Sequence, residues 1–461
     1  MADTRPSLTT QIIVVGLGLA GLTTAIECHR RGIKVLVLEK VSELKHDAGD
    51  GIFMPPNAAR VIQRWDNQVQ SEIAANRNDS THADVFDDTD TFIVRSALPG
   101  KGHGFLTNRG KLVLILYEYA LRLGIDIQLG TRVATYWEDT DAKQAGVVLE
   151  SGERLSADGV ICADGVHGKG RAFVTGASGS SRAASTSATV TETGYATFRA
   201  HLRTDTPSFA SDPAAHWIVR DSAVQDRTYM WFGSGVNMSM MTLKHGREVV
   251  WMTTHKDRYA AKETESWSGG AHAHLRDVVD CIAHWPGKAR IESIVRHTQP
   301  GKLVNHPLVY RPPLKTWRSA GGRVMLIGDA AHPYYPVVGQ GGAQGVEDGA
   351  VLAVALARAG EDGVPLALEV AERIRYPRAS VIQLGSRVFQ AAVLSPDWEA
   401  VRRDPAMFRL PNPSWIFEHD CVEFAEREYE AVVRCVQEGV EYVPANIPRD
   451  GVYRVEDTYN G

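Results

Sequence analysis

Residues 11–40 read QIIVVGLGLAGLTTAIECHRRGIKVLVLEK. An apolar run, QIIVV, is followed at once by Gly16, Gly18 and Gly21, then by helical apolar spacing, then by a second apolar run that closes on Glu39 and Lys40. Strand, glycine turn, helix, strand is a βαβ unit, which places the chain in the α/β class with a parallel sheet. Glycines in the GxGxxG pattern let backbone N–H groups, with Leu19 and Ala20 at the helix start, approach a pyrophosphate, while Glu39 accepts from a ribose hydroxyl. An acid at that position favours an unphosphorylated ribose, hence FAD or NAD over NADP.

A second stretch narrows this reading. Residues 323–348, RVMLIGDAAHPYYPVVGQGGAQGVED, run from an apolar strand into Gly328-Asp329, through a turn bracketed by Pro333 and Pro336, to a bend with Gly339, Gly341 and Gly342 that opens a helix. Asp329 at a strand end accepts bonds from hydroxyls, and the helix start favours an electron-rich group near its backbone amides. A polyol chain lying against amides suits both. His332 in this stretch reads as a structural residue.

Between these stretches, NRGKLVLILYEYALRL (108–123) has helical spacing, and GIDIQLGTRV with GVVLESGERLSADGVICADG suggests further strands of the same lobe. A Ser/Ala/Gly-rich stretch from Gly176 to Val190 marks a crossing to a second lobe. There TGYATFRAHL, HWIVR, TYMWFGSG, VNMSMMTL and REVVWMTT read as strands of a mixed or antiparallel sheet, joined by an earlier segment, 83–98. Beyond about residue 350 the pattern is helical, interrupted at Pro377, Pro396, Pro411, Pro413 and Trp415.

Composition sets bounds on partners. A formal net charge of −5 offers no basic field for nucleic acid, and no apolar run reaches the roughly 18–20 residues of a membrane span. The five cysteines are scattered without CxxC spacing, so neither a metal site nor a disulfide framework is expected. A soluble, cytoplasmic protein, monomer or homodimer, is the expectation.

GLGLAG (16–21), CADGVHGKGR (162–171), IGDAAHPYYPVVGQGGAQGVEDG (327–349) and GDGIFMPPNAARVIQRW (49–65) occur together in this order. In this the chain resembles the group A FAD-dependent aromatic monooxygenases, the family of p-hydroxybenzoate and salicylate hydroxylases, and within it the fungal salicylate-hydroxylase-like branch. The resemblance implies a Rossmann-like FAD-binding lobe of the GR2 type, a second mixed-sheet substrate lobe and C-terminal helices. The FAD lobe is expected in three pieces (1–82, 100–178, 301–390), the substrate lobe in two (83–99, 190–300), with a helical region over 391–461.

Residue by residue, the resemblance implies that Glu39 holds the adenosine ribose, Arg109 contacts the flavin, Asp329 holds the ribityl chain, and Gly341-Gly342-Ala343 face the isoalloxazine. Asp164 would serve FAD and the nicotinamide cofactor, although Gly168 stands where the motif usually carries Ser. Arg199 and Tyr229 match catalytic positions of fungal relatives, and His46, Phe53, Met54 and Pro336 flank the pocket.

The implied reaction transfers one oxygen atom from a flavin hydroperoxide to an electron-rich aromatic or indole substrate. NADH or NADPH binds transiently, dioxygen is co-substrate, and tight, non-covalent FAD carries the chemistry. Fungal secondary metabolism or aromatic catabolism is the expected setting. The alternative is an FAD-dependent oxidase or dehydrogenase that abstracts hydride directly from substrate.

Overall fold

The strand Gln11–Val15 lies at the centre of a five-stranded parallel sheet, in the order Val324–Leu326, Gly159–Cys162, Gln11–Val15, Lys34–Leu38, Asp126–Gln128. This is a computed structural model, and it describes residues 11–45, 51–98, 103–176, 191–257, 273–299, 301–336, 339–360, 363–394, 397–408, 410 and 412–454. Ile12, Ile13 and Val14 are fully buried, as strands covered on both faces must be. The helix Leu19–His29 makes the crossover, and the helix Gly341–Ala359 packs against it. A Cβ on Gly345 would stand 2.9 Å from that of Ala20, and one on Gly349 would stand 2.7 Å from the Thr24 nitrogen. Glycines four residues apart therefore let the two helices meet backbone to backbone, which draws the two glycine-rich segments of the sequence to one edge of the sheet.

A second sheet has seven strands, in the order Val304–Tyr310, Thr191–Arg203, Glu248–Lys256, Val236–Leu243, Thr228–Gly233, His82–Asp87, Phe92–Ala97. One pairing, Thr228–Gly233 with His82–Asp87, is parallel and the others are antiparallel, so the sheet is mixed. One of its faces packs on a separate core built around Phe198, Trp231, Trp251 and Trp285.

Three readings of the sequence are corrected here. HWIVR is not a strand but part of the helix His216–Asp221, because Asp212 caps the preceding turn and Pro213 starts it, setting helical geometry before the β-prone residues arrive. The second sheet does not end at residue 300, since Val304–Tyr310 is its edge strand. Pro377 does not interrupt the helix Val364–Leu394, whose buried Arg375 and Arg378 anchor both sides of the proline. The stretch 177–190, with Pro396, Pro411 and His46, lies outside the described residues.

No helix among the described residues is long and apolar enough to cross a membrane. All five cysteines are free thiols.

Candidate active site

The turn after the first strand is shaped by steric necessity. Gly16 has φ +104°, and a Cβ there would come within 2.3 Å of the Ala163 carbonyl oxygen; one on Gly21 would come within 2.0 Å of the Gly16 oxygen. Gly18, by contrast, has no heavy atom within 4 Å of an added Cβ. The helix begins beside it without a side-chain cap, so its first N–H groups face an open cavity. Glu39 stands across from them, its Oε2 accepting from the Leu17 N–H at 2.8 Å and its Oε1 from the Val41 N–H at 2.9 Å.

The cavity measures about 1170 Å³, above the roughly 300–1,000 Å³ typical of small-ligand sites. Its first-lobe wall carries Asp164, whose Oδ2 accepts from the Tyr136 hydroxyl at 2.7 Å and from the Gly170 N–H at 2.9 Å. Burial raises the Asp164 carboxyl above the ordinary range against the pull of these donors. Its Oδ1 is buried without a protein partner. That orphaned acceptor on the wall fits a ligand hydroxyl or amide. A Cβ on Gly168 would lie 2.1 Å from the Asp164 carboxyl carbon, so glycine there is coupled to this placement of the acid.

Arg171, from the same motif, donates to the carbonyls of Ala330 and Ala331 at 3.2 and 3.1 Å. Burial lowers it to about 10. It ties the Asp164 segment to the turn bearing Asp329. That turn is held from beneath: Asp348 Oδ2 accepts from the Gly328 N–H at 2.9 Å and lies 2.6 Å from His332 Nε2. Asp348 and Glu347 in turn face Arg375 and Arg378 in a fully buried ion network. His332 is thus a structural partner and not a cavity group. Asp329 itself faces the cavity, with Pro336, Gly339, Gly341 and Gly342 beside it.

The opposite wall is one face of the second sheet, and strand register sets it out in rows. His306, Thr197, Thr254, Asn237 and Phe232 lie side by side in one row; Arg199, Met252, Ser239 and Met230 form the next. All of these line the cavity. Arg199 is buried, and Thr197 Oγ1, two residues away on the same face, is buried without a partner. Phe408 and Phe417 from the C-terminal segment also line the cavity: Phe232 meets Phe408 and Trp398, and Phe53 meets Phe417 edge to face at 6.1 Å.

The cavity therefore brings together Gly16, Gly18, Leu19, Ala20, Glu39, Lys40, Phe53, Arg109, Asp164, Arg199 and Asp329 with the glycine bend. Four candidates stand off it. Gly21 serves helix packing, while Ala343 and Met54 are buried behind the wall. Tyr229 is the substantive correction: strand alternation sends Thr228, Met230 and Phe232 to the cavity and Tyr229 to the opposite face, where it meets Trp217 and Arg290. Tyr136, Arg171, Thr197 and Asn237 escaped sequence reading. Only the arginine, inside a motif already singled out, carried a local signal.

This geometry defines a dinucleotide-binding protein with a sheet-walled substrate cavity. The FAD binding domain family matches residues 9–233 and 312–383. FAD-dependent monooxygenase fmqB of Aspergillus fumigatus is 50% identical over 426 residues, covering 90% of this chain and 98% of that protein. The crystal structure of FqzB shares 51% identity at a TM-score of 0.86, covering 97% of this chain and 99% of that one. CtdE in complex with FAD and substrate 4 shares 32% identity at a TM-score of 0.83, with 93% and 100% covered. The chain belongs to the group A FAD-dependent monooxygenases.

Proposed function

We propose that this monooxygenase uses NADH or NADPH as reductant and inserts one oxygen atom from dioxygen into an electron-rich aromatic or indole-type substrate. A single observation carries the reading: the glycine turn, Glu39, Asp164 and Asp329 open onto the same cavity as the sheet face bearing Arg199. When bound, non-covalent FAD supplies the redox chemistry, reduction by nicotinamide and activation of dioxygen.

The chain's own residues bind, orient and shield. Gly18 to Ala20 hold the pyrophosphate, Glu39 the adenosine ribose, Asp329 the polyol, and the amides at Gly341 and Gly342 the ring system. Arg199 is a fixed cation facing the reacting region, where it stabilises negative charge developing on the substrate or on the departing oxygen. Met230, Met252 and Phe232 offer an apolar bed for a flat ring and exclude water. Thr197 and Asn237 give that bed a polar edge.

The test follows NADH and NADPH oxidation with a panel of phenolic and indole-bearing compounds under oxygen-18. One labelled atom in the product, with reduction dependent on nicotinamide, is the expected result. Anaerobic bleaching by substrate alone would overturn the reading in favour of a hydride-abstracting oxidase.

A further inference from the structure

Two of the cavity arginines, Arg109 and Arg199, stand on different lobes, and one buried carboxylate connects the elements that bear them. Arg109 is the first residue of the helix Arg109–Arg122, whose opening turn is capped where Asn108 Oδ1 accepts from the Lys111 N–H at 3.0 Å. Lys111 reaches across the lobe boundary, where its Nζ donates to Glu248 Oε2. The same oxygen lies 3.0 Å from His201 Nε2. His201 is two residues from Arg199 on the same face of the strand Thr191–Arg203. Lys244 Nζ approaches the other oxygen at 3.1 Å, from a turn in which Lys244 and His245 both have φ of 55°. Non-glycine residues seldom adopt this left-handed backbone.

Burial pushes the Glu248 carboxyl up, yet His201 and Lys111 outweigh it and hold the group well below the usual carboxylate range. Leu106, Met241, Leu243 and Val250 form an apolar cluster on the same lobe boundary. Buried ion pairs of this kind seldom add stability over apolar side chains of equal volume, and their best-attested role is to fix register.

We propose that Glu248 is a positioning residue: through Lys111 and His201 it sets where Arg109 and Arg199 stand relative to each other across the cavity. This rests on the FAD reading above. Both arginines then bear on the ring system, and their approach favours the reduced, more negative cofactor.

The test measures the two-electron midpoint potential of the substrate-free holoenzyme by dye equilibration. In Lys111→Met/Glu248→Met, which leaves net charge unchanged, the protein stays yellow. Reduction should be tenfold less favourable, about 30 mV more negative. Lys111→Arg/Glu248→Asp, which restores an ion pair, should return the value toward wild type. An unchanged or more positive potential in the yellow Met/Met variant would overturn the proposal. So would failure of that variant to fold, since Glu248 would then serve the fold alone. A wild-type chain that takes up no FAD sinks the cofactor reading instead, before any potential is measured.

Discussion

The two walls of the cavity are built by different rules. The first-lobe wall is mostly backbone: Gly18, Leu19, Gly341 and Gly342 present amides at helix starts, and each lies within a contiguous motif. The second-lobe wall is mostly side chains, in rows drawn from strands as distant in sequence as Thr197, Asn237, Thr254 and His306. Backbone recognition suits a cofactor that never changes, whereas a side-chain wall can be altered row by row without disturbing the sheet. Substitutions behind or within the first wall should therefore damage cofactor retention. Those on the second should damage chemistry while the protein stays yellow.

The largest effect is expected at Glu347. Its carboxylate meets Arg378 at 2.9 Å and Asn57 at 2.6 Å, fully buried beneath the glycine bend. Burial raises its carboxyl, but Arg378 and Arg375 hold it well below the ordinary range. Glu347→Ala leaves the buried Arg378 guanidinium without a carboxylate and Arg375 with Asp348 alone, and should cost about 3–5 kcal/mol, read by denaturant unfolding, with loss of bound FAD. A stable, fully flavinated variant would break the assignment of this network to the first wall.

Arg199→Ala comes next and tests the second wall. Oxygen transfer should fall on the order of 10²–10³-fold, the range for losing one preorganised group facing developing charge. FAD occupancy, read from absorbance, should be unchanged. Normal product formation by the yellow variant would remove Arg199 from the chemistry.

Tyr136→Phe probes the first wall more gently. It deletes one hydrogen bond to Asp164, worth about 1 kcal/mol, so FAD should bind roughly fivefold more weakly in a fluorescence titration. An unchanged affinity would mean that Asp164 holds its place through the Gly170 N–H without help from the phenol.

The contrast between walls also explains what the sequence disclosed. GLGLAG with Glu39, and the Gly328-Asp329 strand end with its glycine bend, could be read because the signal is local: an apolar strand, then residues whose backbone must approach a ligand. The second wall was legible only as strands. Which face of each strand meets the cavity depends on register with partners such as Met252 and Ser239, and period two offers both faces equally. Arg199 was found through resemblance, whereas Thr197, two residues before it, gave no signal. The helix His216–Asp221 was missed because Asp212 and Pro213 outrank the β-propensity of HWIVR. Phe408 and Phe417 reach the cavity through long-range packing that no spacing announces.

Tyr229 gives the smallest expected effect and the sharpest test of register. Its hydroxyl is buried without a partner, and its ring packs on Trp217 at 5.2 Å and beneath the Arg290 guanidinium at 5.4 Å, on the face turned away from the cavity. Burial pushes its phenol well above the ordinary range, which leaves it neutral at any working pH and useless as a base. Tyr229→Phe keeps the ring contacts and removes only an unsatisfied oxygen, a change that is neutral or slightly stabilising. Turnover, coupling of nicotinamide oxidation to product, and FAD affinity should all match wild type, while the unfolding midpoint stays level or rises. A tenfold loss of turnover with FAD retained would mean that Tyr229 acts on substrate. The strand Thr228–Gly233 would then have to turn its other face to the cavity, and Met230 and Phe232 would lose their place on the second wall.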